Sequence, residues 1–229
     1  MNNLWIGSIG LISTLLLYYG TKKLHQRFPS PFLLPVLTST IVIGAFLLLW
    51  DIPYEVYMTG GKVVDWLLGP AVVALAYPLY RQWEVLKRYW MNILSSVTVG
   101  AIIGVTSGIL FSNWLNVEEY LIYSLIPKNS TTPVAMSVAD SIGGIPSMAA
   151  VFVMIAGIGG AVFGPIVLKW ATIDHFLGRG IGFGSASHAI GTSKAMENSE
   201  EEGTVSTVAM ILSAIIISII SPLFVYLLL

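Results

Sequence analysis

The chain has 229 residues, of which 55% are hydrophobic and 10% charged, with a formal net charge of −1. A soluble domain carries about 25% charged residues, so the composition excludes a soluble enzyme. It also leaves no basic field for nucleic acid. With no cysteine in the chain, disulfides, thiolate zinc sites, iron–sulfur clusters and a cysteine nucleophile are excluded.

The charges fall in narrow islands. The stretches 1–21, 28–50, 89–117, 141–168 and 203–229 hold no Asp, Glu, Lys or Arg. A membrane helix needs about 20 apolar residues, and each stretch is long enough to supply them. The first lacks the basic start of a secretory signal, and its first span is predicted to be retained. Spans are predicted near 4–21, 31–50, 63–80 and 90–112, with 51–65 read as a polar loop. Lys and Arg favour the cytoplasmic side. Lys22, Lys23 and Arg27, then Arg81, Lys87 and Arg88, alternate with the acid-rich loop 51–65 and with Glu118–Glu119. That alternation puts the N-terminus outside.

The second half is less regular. Residues 146–168 and 204–228 read as full spans, whereas 120–142 and 180–196 are rich in Gly, Ser, Thr and Pro. Irregular backbone at membrane depth survives only against protein or a water-filled cavity, so these two segments are the candidates for broken or re-entrant helices. The expected class is an all-α polytopic membrane protein. It is a single transmembrane domain of seven to eight elements, with halves 1–112 and 113–229. A faint repeat links Pro70–Ala76 with Pro133–Ala139, and Gly100, Gly104 and Gly108 with Ala156, Gly160 and Gly164. Small residues four apart let helices approach closely. If 118–142 folds back as a hairpin the repeats are inverted, as in secondary transporters; if it crosses fully they are parallel.

Candidate chemistry concentrates in two clusters. In Pro127–Pro146, Ser130, Thr131 and Thr132 precede Pro133, a good helix start. Gly143 and Gly144 end that helix after about ten residues, or about 15 Å. A half-helix starting at mid-depth aims its N–H groups at a cavity and suits an anion. Asn129 to Thr132 are the substrate-binding candidates here, with simple capping as the plainer reading. Lys128 either attracts the anion or extends to the interface. Asp140, the one acid between Asn129 and Leu168, is either a proton or ion site or a surface group paired with a loop cation.

The second cluster is Gly178–Lys194. Its glycines at 178, 180, 182 and 184 allow close backbone approach, and Ser185, Ser187 and Thr192 supply uncharged donors. His188 either contacts substrate and moves a proton or is a hydrogen-bonded packing residue. No metal spacing surrounds His188, His25 or His175, so neither metal nor cofactor is expected. The acids Glu197, Glu200, Glu201 and Glu202 read as a solvated face capping the last helix. Trp5, Trp50, Trp66, Trp90, Trp114 and Trp170 read as interfacial anchors.

Five runs carry a family resemblance: Leu68–Tyr80, Pro127–Met136, Ile142–Pro146, Ala161–Pro165 and Ser185–Thr192. Together they resemble the LrgB/CidB (YohK-like) family over nearly the whole chain. The resemblance implies a holin- or antiholin-like role in murein hydrolase export, autolysis and programmed cell death, beside a small LrgA/CidA-type membrane partner. It also implies transport: pyruvate uptake in bacteria, and a relationship to the plastid glycolate/glycerate transporter of plants. The chain lacks the LrgA-like half of that fused relative. The leading expectation is a transporter of small monocarboxylates in the bacterial inner membrane, forming a homodimer. The alternative is the holin-like regulator.

Overall fold

The computed structural model describes residues 2–28, 33, 35–67, 70, 73, 76–81 and 83–228. Among these the structure is helical: α1 (Asn2–Arg27), α2 (Pro35–Leu49), α3 (Tyr54–Trp66), α4 (Ala76–Arg81), α5 (Trp83–Trp114), α6 (Glu119–Leu125), a 3-10 turn (Ile126–Asn129), α7 (Thr132–Ser141), α8 (Pro146–Trp170), α9 (Phe176–Asn198) and α10 (Glu200–Leu228). The residues pack as two compact units, 1–76 and 77–229.

In the first unit α1 packs against α2 and α3. The ring of Tyr57 lies where a Cβ on Gly10 would stand, 3.2 Å away, and its hydroxyl is 2.9 Å from that of Thr14. Helix α3 corrects the loop expected over 51–65. Glu55 and Lys62, which read as loop signals, stand seven residues apart on one face of this helix, and its Tyr57 packs on α1. The span expected at 63–80 is likewise not one helix through Trp66, where α3 ends. The first repeat block, Pro70–Ala76, falls largely outside the described residues.

In the second unit α5, α8 and α10 are the three described helices long and apolar enough to cross a membrane. Helices α5 and α10 run side by side. Ile93 and Val97 pack with Val205, Val208 and Ala209 near one end, and Val105 and Ile109 pack with Ile220 and Phe224 near the other. An ion pair of 3.2 Å joins Arg81 to Glu200 where both begin.

The segment 119–145 leaves this frame and comes back to it. Helix α7 stops after 10 residues, as the glycines predict, with Gly143 at φ +89°. The amide of Ile145 then donates to the Ser124 hydroxyl at 2.7 Å, returning the chain to the end of α6. This is a re-entrant hairpin, which resolves the alternative left open by the sequence. Its second arm lies antiparallel to α8, through a core of Ala135, Ala139, Ala149 and Val153.

Helix α9 is a second hairpin. A continuous helix would separate Arg179 from Asn198 by about 28 Å, yet both bind the carboxylate of Glu202, at 3.0 and 2.9 Å. The reversal falls at His188, with φ 41° and ψ −132°. Beyond it, a Cβ on Gly191 would stand 2.5 Å from the Phe183 carbonyl oxygen, eight residues back. The arms are therefore 176–187 and 189–198, and both pack on α10. The first hairpin opens from the end where α8 begins, the second from the end where α8 finishes. Two hairpins thus enter the unit from opposite ends.

Candidate functional site

The α7 arm of the first hairpin and the tip of the second meet on the first half of α8. Val153 belongs to the packed seam of the first hairpin, and its carbonyl oxygen lies 2.9 Å from His188 Nε2 at the tip of the second. With the carbonyl as acceptor, Nε2 carries the proton and donates it. The 3-10 turn that forms the first tip also packs against α9.

Small residues make this approach possible. A Cβ on Gly157 would stand 2.5 Å from His188 Cε1, and one on Gly164 would stand 2.9 Å from the Phe183 ring. Ser187 occupies the space over Gly160. A groove of about 490 Å³ follows this seam between α8 and the first arm, lined in part by Ala156, Gly160, Gly164 and Ser187. Two glycines of α9 itself serve α10. Gly180 faces the carbonyl of Glu202, and Gly184 faces that of Ser206. Their role here is backbone-to-backbone approach.

At the first tip Lys128 donates to the Gly104 carbonyl of α5 at 3.0 Å, and Asn129 lies over the same glycine. The Ser213 hydroxyl of α10 donates to the Asn129 carbonyl at 3.1 Å. Ser130 is fully buried and donates to the Pro127 carbonyl at 2.9 Å, so it caps nothing in α7. Thr131 occupies the N-cap position, but its side chain makes no capping bond. The plainer reading of these hydroxyls as helix caps is therefore not what the geometry gives. Thr131 and Thr132 are half-buried, at the end of α7 where N–H groups lack intrahelical acceptors.

At the second tip, Thr192 bridges the His188 carbonyl and the Ser206 hydroxyl, both at 2.9 Å. The Ser185 hydroxyl returns to the Ile181 carbonyl at 2.6 Å. Asn129 to Thr132, Ser187, His188 and Thr192 all lie at or beside the tips. Asp140 does not: it is exposed on the last turn of α7, most of a half-helix from the tip.

Two features escaped the sequence reading. Ser206 and Ser213 looked like ordinary polar residues of an apolar span, and only the hairpins show that they face the tips. Glu202 was grouped with a solvated acidic face. Glu197, Glu200 and Glu201 are exposed, whereas Glu202 is buried and paired with Arg179, because both hairpin arms close over the first turn of α10. Among the described residues no group of three His, Asp or Glu side chains converges as a metal site would.

Apolar spans enclosing two opposed, hydroxyl-bearing re-entrant hairpins define a polytopic integral membrane protein with polar backbone ends held at depth. The model of the LrgB-like family matches residues 14–227, and the chain belongs to that family. It is 48% identical to the Bacillus subtilis (strain 168) protein described as uncharacterized protein YxaC, over 99% of both chains. To a second protein of that organism, uncharacterized protein YwbG, it is 43% identical over 96% of this chain and 97% of the relative. It is also 34% identical to the holin-like protein CidB of Staphylococcus aureus (strain N315), over 99% of both chains. No solved structure matches the chain.

Proposed function

We propose that the protein passes small monocarboxylates across the bacterial inner membrane, binding the anion between the two hairpin tips. The observation that carries this reading is that Val153 is shared by the α7 arm of the first hairpin and the tip of the second. It brings the uncapped start of α7 and the imidazole of His188 onto one short stretch of α8. Free N–H groups at a helix start favour an anion, and Lys128 adds a cation beside them. Asn129, Ser130, Thr131, Thr132, Ser185, Ser187, His188 and Thr192 are the proposed substrate shell, some as direct ligands and some as supports. Asp140 and His188 are the two candidates for coupling a proton. The charge alternation supports an outside N-terminus. A homodimer and a small LrgA/CidA-type partner complete the proposal.

The holin-like reading, in which the protein regulates murein hydrolase export and cell lysis, has its own support. The name of the Staphylococcus relatives backs it more directly than anything backs a particular carboxylate. Proteoliposomes separate the two. Under the carrier reading, uptake of radiolabelled C2–C4 carboxylates saturates with concentration, with or without the small partner. Release of a large trapped dye with no saturable carboxylate flux would instead favour the holin-like reading and remove the carrier.

A further inference from the structure

We propose that Glu202 is a positioning residue that pins both arms of the second hairpin to α10, and that release of this pin opens the passage at His188. A single buried carboxylate on α10 binds a side chain from each arm. Oε2 accepts from Arg179 Nε of the first arm at 3.0 Å, and Oε1 accepts from Asn198 Nδ2 of the second arm at 2.9 Å. Its own amide donates to the Ser199 hydroxyl at 3.1 Å, and its carbonyl faces Gly180, where a Cβ would stand 2.7 Å away.

In the other ion pairs at this end the carboxylates of Glu200 and Glu197 are 42% and 56% exposed, and water weakens such pairs. The Arg179–Glu202 pair has side chains only 23% and 5% exposed. Removing one partner of a buried pair strands the other, which is strongly destabilising locally.

The two hairpins differ in the backbone strain at their tips. The first is bonded at its tip to two spans, through Lys128 to α5 and through Asn129 to α10. The second is also bonded near its tip to two spans, through His188 to α8 and through Thr192 to α10, but its tip residue is held at positive φ. Such strain persists only while surrounding contacts over-determine it. The pin at the base supplies part of that constraint, so the second hairpin is the moving element. This inference rests on the reading that the tips form the passage.

The cysteine-free chain makes the test direct. Ser187→Cys places a thiol at the second tip and Ser130→Cys places one at the first, both buried in the wild type. The full-length protein in nanodiscs is reacted with a soluble maleimide. Glu202→Gln or Arg179→Ala should speed labelling of Ser187→Cys at least about tenfold, the change given by about 1.4 kcal/mol. Arg179→Lys should stay near the parent rate, and Ser130→Cys should not respond. Unchanged labelling of Ser187→Cys, or an equal rise at both tips, overturns the pin. If Glu202→Gln does not fold, the Arg179→Ala and Arg179→Lys pair decides. Labelling needs no solute, so its failure leaves the flux assay to judge the carrier reading separately.

Discussion

His188 combines three constraints that rarely coincide on one residue. It reverses a helix at positive φ, which costs about 1–3 kcal/mol for a non-glycine residue. Its ring donates to a backbone carbonyl, and it fits only because Gly157 has no side chain. Gly157→Ala should therefore lower thermal stability in detergent by about 1–3 kcal/mol, the usual cost of overpacking. Gly159→Ala on the same helix, where a new Cβ would meet nothing within 4 Å, should be neutral or raise stability by up to about 1 kcal/mol. Equal effects from the two would show that His188 does not press on α8. For flux, His188→Ala should abolish carboxylate uptake. Asp140→Asn, at an exposed position far from the tip, tests the other coupling candidate. Retained uptake in Asp140→Asn with loss in His188→Ala assigns coupling to the tip, and unchanged uptake in both removes both from the mechanism.

At the scale of elements, the half-helix α7 was legible from its residues: a proline near its start, ten residues, and two glycines at its end. The return of its chain was not, because the anchoring contact is the hydroxyl of Ser124 twenty-one residues away. That hydroxyl accepts from the Ile145 amide and itself donates to the Tyr120 carbonyl at 2.7 Å. Ser124→Ala leaves a partly buried amide without an acceptor and should cost about 1–3 kcal/mol. Gly144→Ala should cost at least as much, since its Cβ would stand 2.8 Å from the Ser124 backbone nitrogen, which cannot swing aside. Thermal unfolding of both variants checks this, and wild-type stability in either would mean the hairpin is not closed at that point. Helix α9 shows the opposite limit. Glycine and serine richness marked it as interrupted, but no residue in the run announces a reversal, since its turn is made by a histidine and not by one of its glycines.

Across the whole molecule, the tryptophans follow the expected pattern where their side chains are described. Trp66, Trp114 and Trp170 end helices α3, α5 and α8, and all three are highly exposed. Trp90 stands about one turn inside the start of the span 86–114 and is also exposed. Lipid demands that a spanning segment satisfy its own backbone, and this demand writes itself into composition. The membrane class, the three long spans and the two irregular segments were therefore determined by the sequence alone. Which irregular segments meet, and on what, was decided only by tertiary structure. The meeting depends on missing side chains at Gly157, Gly160 and Gly164, and on hydrogen bonds between residues tens of positions apart. The fate of Glu202 has the same cause: a fourth acid in a row reads as solvated until two hairpin arms close over it, and only the fold brings Arg179 and Asn198 to the same carboxylate.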